Sequence, residues 1–458
     1  MSLGRVLLLL ALACGPAWAQ GADPCASNTP RALILSGGGA KGAFEAGAVY
    51  HLVVHRGCDF KDFSGVSAGA LNVAYLAQAP TQGDSLANLQ TRAKGLVELW
   101  RSIRGAKQVM RGRFLGLPRM LIFGTESLKD FTPLRKLVER EIKLDALLDS
   151  GREVRVGTVS FYDGRYREIT PHSPELLAPV QFLDYVYASA VVPVVGKMPR
   201  IQEDEKQPAD SHYWSQFSDG GVRHPTPIAG YFPVCNVKTA MLLKEFLRPA
   251  VVPPEPPAPP ARVNVFCDPE RPAPATLPHK NLTQLFVVIA NPYDPTSDHL
   301  PPPGCCRDPK GKRHVKNGKE VLWRTLEVVL NSPYRWDLSY ALMANDALRA
   351  RADLLEWARA RLDPSAFDQF IREFGDESFP VGSYNSSRNA NWSLPYEIAL
   401  VTPKEEFGSN YQFDPANIRK QLRQGCLAAD ATMTAQFYLA RMKAQCDADF
   451  PEEVQTRK

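Results

Sequence analysis

Two short apolar runs, each ending in a glycine-bracketed turn and each followed by an alanine-rich stretch, constrain this chain most. The first, 31–35, runs into Ser36 and then Gly37-Gly38-Gly39-Ala40-Lys41-Gly42. The second, 60–63, runs into Gly65-Val66-Ser67-Ala68-Gly69. Apolar runs of this length bounded by glycine read as buried strands. Residues 43–54 and 68–78 read as helices, with Gly57 as the stop of the first. Strand, helix, strand, helix in this order requires crossover connections and hence parallel pairing. Further strands are predicted at 154–161, 284–290 and 398–401, and helices at 320–330, 337–362 and 415–442. The fold class is therefore α/β, a central, mainly parallel sheet flanked by helices.

Composition narrows the class. With 458 residues, 22% charged side chains and a net charge of +5, the chain is neither a disordered acid nor a basic nucleic-acid binder. Residues 1–19 read as a secretory signal: Arg5, an apolar run, then Ala17-Trp18-Ala19 before a cut at Gln20. A cut before Cys14 would instead give a lipoprotein, against which Ala11-Leu12-Ala13 is a poor lipobox. No later run is long and apolar enough for a spanning helix. Export makes disulfides the first reading of the cysteines. Sequence-near pairs are Cys25–Cys58, Cys235–Cys267 and Cys426–Cys446, although spacing alone does not fix connectivity. Cys305-Cys306 lacks a second pair at zinc spacing, and no histidine pair stands out as ligands, so neither metal nor cofactor is expected. Eleven of the 39 prolines fall between Pro249 and Pro278, which marks about 231–280 as a surface insertion.

Ser67 carries the chemistry. Glycines at −2 and +2 permit a sharp strand-to-helix turn that pushes a serine Oγ outward at a helix N-terminus. Gly37, Gly38 and Gly39 can present backbone N–H groups to one oxyanion, because no side chain blocks the approach. Asp219-Gly220-Gly221 supplies a carboxylate on a backbone able to turn sharply, a base for the serine proton. A dinucleotide site competes, since Gly37, Gly39 and Gly42 match G-x-G-x-x-G and Asp59 follows at ribose-binding distance. That reading leaves Ser67 without a role. A Walker loop fits worse, because Lys41 precedes Gly42. His224 is an alternative base for a Ser-His-Asp arrangement, five residues after Asp219.

The three motifs in this order resemble the patatin-like phospholipases. Tyr187-Ala188-Ser189-Ala190 with Val192-Pro193, and Phe413-Asp414-Pro415 with Ile418 and Gly425, resemble further segments of that family. The resemblance implies a three-layer fold over 31–445, after a lead at 20–30 and before a tail at 446–458, broken by the proline-rich insertion. It implies Ser67 as nucleophile, Asp219 as base without histidine, and Gly37–Gly39 as the oxyanion loop. It also implies a phospholipid or related acyl ester, met at a membrane or micelle surface. Lys41 stands where the family often has arginine. Between 101 and 121, Arg101, Arg104, Lys107, Arg111, Arg113 and Arg119 interleave with apolar residues, a pattern suited to anionic lipid or to a solvated surface. A non-catalytic lipid-binding or envelope protein on the same fold is the alternative of a different class.

Overall fold

A computed structural model describes residues 23–26, 29–112, 127–208, 210–231, 284–292, short stretches between 337 and 367, and 396–405, 407 and 409–452. The signal segment, Cys14, the proline-rich insertion, the predicted 320–330 helix and Cys235, Cys267, Cys305 and Cys306 lie outside the described residues.

In chain order the elements that build the site begin with β1 (Arg31–Leu35) and α1 (Gly42–Tyr50), which runs on as a π turn over His51–His55. Then come β2 (Asp62–Val66), α2 (Ala68–Leu76), α3 (Ser85–Ser102), β3 (Arg111–Gly112) and β4 (Lys129–Asp130). After α4 (Thr132–Glu141) and α5 (Leu144–Asp149) follow β5 (Glu153–Ser160), β6 (Tyr166–Ile169), α6 (Gln181–Ser189), β7 (Arg200–Ile201) and β8 (Ser215–Asp219). The last are β9 (Gln284–Val288), β10 (Glu397–Val401), α7 (Pro415–Phe437) and α8 (Lys443–Asp449).

The main sheet runs β10-β9-β1-β2-β5-β8-β7, with β6 also paired to β5. Pairing is parallel from β10 through to β5 and antiparallel at β5–β8, β8–β7 and β5–β6. Strand β1 shows why the middle must be apolar throughout. Its side chains alternate in direction. Leu33 and Leu35 enter one core with Phe44, Phe63 and Phe286, while Ala32 and Ile34 enter another with Leu285, Val287 and Tyr231. A parallel strand covered on both faces reads as an unbroken apolar run.

The predicted strand at 60–63 is shifted. The observed β2 starts at Asp62, and its buried polar residues hid it from the hydrophobic pattern. Asp62 is fully buried because Arg155 meets it at 2.6 Å and the Tyr231 hydroxyl donates to it at 2.5 Å. A buried charge is tolerable only when paired in this way. The helix expected over 415–442 ends at Phe437, where Tyr438 turns left-handed at φ 55. The one expected over 337–362 is helical at its described residues up to Arg361. Cys25 is bonded to Cys58 and Cys426 to Cys446, as the spacing suggested. Among the described residues no helix is long and apolar enough to cross a membrane.

Candidate active site

Ser67 sits between β2 and α2 with φ 56 and ψ −126, a backbone region that costs a non-glycine residue about 1–3 kcal/mol. The flanking glycines are forced by contact. A Cβ on Gly65 would stand 2.5 Å from the Gly69 carbonyl oxygen, and one on Gly69 would stand 2.5 Å from the carbonyl oxygens of Leu35 and Ser36. The elbow is braced from the far side: the Ser67 N–H donates to Ser189 Oγ at 2.9 Å, and that hydroxyl donates to the Gly157 carbonyl at 2.7 Å. Ser189 belongs to the Tyr187-Ala188-Ser189-Ala190 segment noted in the sequence, and its place at the end of α6 gives that segment a physical reason. Ser189→Ala strands a buried N–H and a buried carbonyl. It is expected to cost about 1–3 kcal/mol of stability, read from denaturant midpoints, and to lower any esterase kcat through a loosened elbow.

Asp219 ends β8. Register brings it to the serine: Val66 lies opposite Gly157 on β5, and the next residue of β5, Thr158, lies opposite Asp219. The Asp219 backbone N–H donates to the Val191 carbonyl at 2.9 Å, and its carboxylate accepts the Gly221 N–H at 2.7 Å and lines the same cleft as Ser67. Gly220 has no room for a side chain against the Gly157 carbonyl and Val66. Burial pushes the Asp219 carboxyl up to about 6, against hydrogen bonding, which pulls it down.

The glycine loop closes over the same point. Gly37 lies so near that a Cβ there would be 2.6 Å from Ser67 Cβ. Gly39 is left-handed at φ 59 and abuts the Asn410 carbonyl, so no other residue fits. Among the described residues no acceptor engages the Gly37, Gly38 or Gly39 N–H. The loop is held from beneath. Lys41 Nζ donates to Asn291 Oδ1 at 2.5 Å, and Ser36 accepts the Ala290 N–H at 3.0 Å. Glu45, wholly buried on α1, faces Ser36 and accepts from Asn72 at 3.0 Å. Burial raises its carboxyl well above the usual range. Asn72 in turn accepts the Trp100 indole N–H at 2.9 Å. Sequence reasoning missed Ser36, Glu45, Asn72 and Asn291, whose polar character acquires meaning only beside partners distant in sequence.

Ser67, Asp219 and the three glycines line an apolar cleft of about 130 Å³. Leu71, Leu96, Trp100, Met110, Phe131 and Leu134 are among its walls. Ile103, Val109 and Met110 come from the basic, apolar-interleaved segment. Its remainder from 113 to 121 lies outside the described residues.

The two competing readings meet obstacles. His224 turns elsewhere, with Nδ1 2.6 Å from Asp337 and its ring edge-on to Tyr166. No histidine of the described residues lines the cleft. Asp59 precedes β2 instead of following it, so it lies at the opposite end of that strand from the glycine loop. There it is bound by Ser85 at 2.7 Å and Arg152 at 2.8 Å. A ribose-binding acid must stand at the carboxyl ends of the strands.

No curated protein matches the chain. Among solved structures, VipD from Legionella pneumophila is similar at 15% identity, covering 43% of this chain and 46% of that one, with a TM-score of 0.25. The structure of full-length SpcU with full-length ExoU, from the type III secretion system of Pseudomonas aeruginosa, is similar at 20% identity, covering 35% and 38%, with a TM-score of 0.20. The chain thus spans less than half the length of either. The model of one family, described as patatin-like phospholipase, matches residues 33–230, the segment that holds the glycine loop, the serine elbow and Asp219. Over those residues the chain is thus similar to the patatin-like phospholipase family.

Proposed function

We propose that this chain is a serine hydrolase that cleaves carboxylic ester bonds of phospholipids or related lipids. The observation that carries the reading is that Ser67, on its strained elbow, and the buried Asp219 carboxylate line the same apolar cleft as the glycine loop. As Ser67 Oγ attacks the ester carbonyl carbon, its proton passes to Asp219. The carbonyl electron pair moves onto oxygen, where the free N–H groups of Gly37–Gly39 stabilise it. Collapse expels the alcohol, which takes the proton from Asp219 and leaves an acyl-Ser67 ester. Water then attacks with the same base and the same amides, releasing the fatty acid. The apolar walls suit an acyl chain, and desolvation strengthens Asp219 as a base.

The test is release of fatty acid from phospholipid micelles by the mature chain, together with covalent labelling by a fluorophosphonate. Labelling at Ser67 with turnover supports the reading. An intact, folded chain that neither turns over lipid esters nor labels at Ser67 removes it. The pH profile follows from Asp219. The base must be ionised, so kcat/KM should reach half its plateau near pH 6, not near the ordinary carboxylate value, and fall tenfold per unit below. We also propose export after cleavage at Ala19, which the two disulfides support because such bonds persist in oxidising compartments.

A further inference from the structure

Away from the cleft, four side chains of metal-ligating type converge where α1 meets the C-terminal helices. His51 and His55 come from the π turn that continues α1, Cys426 from α7 and Cys446 from α8. One donor atom from each lies within 4.8 Å of every other. The two Nδ1 atoms stand 3.1 Å apart. His51 Nδ1 is 3.8 Å from Cys426 Sγ and 3.6 Å from Cys446 Sγ, and His55 Nδ1 is 3.9 Å from Cys426 Sγ. A tetrahedral zinc ion with ordinary bond lengths sets two nitrogens about 3.3 Å apart and nitrogen and sulfur about 3.6 Å apart. The nitrogen–nitrogen spacing and three of the four nitrogen–sulfur spacings therefore approach those of a Cys₂His₂ site, and His55 Nδ1 lies within 4.8 Å of Cys446 Sγ. The two sulfurs, joined as a disulfide, must separate.

The surroundings fit as well. A ligating histidine usually donates its second N–H to a carboxylate. His55 Nε2 meets Asp449 at 2.7 Å, and His51 Nε2 faces Asp430 at 3.8 Å. Arg56 reaches the same Asp430 at 3.0 Å and donates to His51 Nε2 at 3.2 Å. This chain of contacts places a proton on His51 Nδ1, shared with His55, in the disulfide form. Metal entry moves that proton to His51 Nε2, which then requires Arg56 Nε to release that nitrogen so that the N–H faces Asp430. Two thiolates neutralise a divalent cation, so the buried site carries no uncompensated charge. Asp449, part-exposed at the edge of a surface cleft beside Tyr50 and Arg101, provides the way in.

We propose that His51, His55, Cys426 and Cys446 bind one zinc ion when the Cys426–Cys446 disulfide is reduced. Reduction by a trialkylphosphine passes two electrons to the disulfide. The phosphine takes the oxygen of one water and becomes a phosphine oxide, and the two sulfurs take two protons. Zinc binding then forms two Zn–S and two Zn–N bonds and releases both thiol protons. Disulfide and zinc are alternative clasps: the disulfide joins α7 to α8, and zinc joins both to the π turn that continues α1. Sequence reasoning passed over the site because its cysteines lie hundreds of residues from its histidines, although the four-residue spacing of His51 and His55 on one helix was legible.

The experiment treats the full chain with phosphine and zinc sulfate, desalts it, and measures zinc per chain by atomic emission. Cobalt substitution reports tetrahedral thiolate ligation by its visible bands. The reduced chain should hold one more zinc than the Cys426→Ser/Cys446→Ser variant, which keeps every other cysteine. His51→Gln and His55→Gln should each lose that zinc while the oxidised protein keeps its circular dichroism. Asp449→Asn should weaken binding by about 10- to 100-fold through the lost hydrogen bond. Equal zinc in the reduced chain and the double serine variant overturns the proposal. So does uptake indifferent to both histidines, or a reduced chain that unfolds and is not restored by zinc.

Discussion

Ser67→Ala is expected to lower ester hydrolysis by about 10⁴-fold or more, with Asp219→Asn falling by a similar factor and His224→Ala remaining active. Alanine keeps the Cβ, so the strained backbone at φ 56 is retained and only the nucleophile is lost. Asparagine can still accept the Gly221 N–H but cannot take the Ser67 proton. Its second signature lies in stability. The Asp219 carboxyl is raised to about 6, so between the unfolded value near 3.8 and 6 the folded state binds the extra proton. The slope of stability with pH is then negative: this residue favours folding below about pH 4 and opposes it above about 6. Asp219→Asn should therefore be more stable than the parent at pH 8, by roughly 1–3 kcal/mol, with the gap closing as pH falls through 6. Kinetics and thermal melts at pH 8 and pH 5 check both halves. A dead but unstabilised variant would place the cost of burying this charge elsewhere.

Gly425→Ala and Gly47→Ala should each destabilise the fold by about 3 kcal/mol or more. Helices α1 and α7 cross with their backbones in contact. A Cβ on Gly425 would overlap the Phe44 carbonyl and stand 2.8 Å from the Ala48 nitrogen, and one on Gly47 would overlap the Leu422 carbonyl. Alanine gains about 1 kcal/mol in helix propensity, but backbone on both sides cannot step aside as a flexible side chain could. The helices must separate, and α1 begins directly after the glycine loop and bears Glu45 beneath it. Activity should fall along with stability, beyond what the unfolded fraction explains. Urea titrations alongside kcat measurements separate the two effects. Replacement of Gly83, at φ 73 with open space around it, serves as a control lacking any such overlap.

How far the fold and site were legible varied with the range of the interactions. Strand β1 was readable to the residue because both faces are buried and nothing polar follows Arg31 within it. Strand β2 was misplaced because Asp62 and Ser64 are buried polar residues whose partners, Arg155, Tyr231 and Pro227, come from elsewhere. Strand β8 escaped notice because Ser-Gln-Phe-Ser-Asp has one apolar residue, and its pairing with β5 makes it a strand. Gly65 and Gly69 were read as places without room, and a Cβ at either would meet backbone, the Gly69 carbonyl for Gly65 and the Leu35 and Ser36 carbonyls for Gly69.

The sequence by itself determined the local chemistry: a strand-to-helix serine turn, a glycine loop able to offer free amides, and an aspartate on a flexible corner. Steric constraints among residues a few positions apart are written in residue identity. Only the tertiary structure decided that β2, β5 and β8 lie side by side in a register that sets Asp219 against Ser67. It also decided that His224 is taken by Asp337, and that two histidines of α1's π turn face two cysteines of the C-terminal helices. Those meetings depend on strand order, pairing register and helix crossing, which arise from the packing of the whole chain and leave no periodic mark on any one segment.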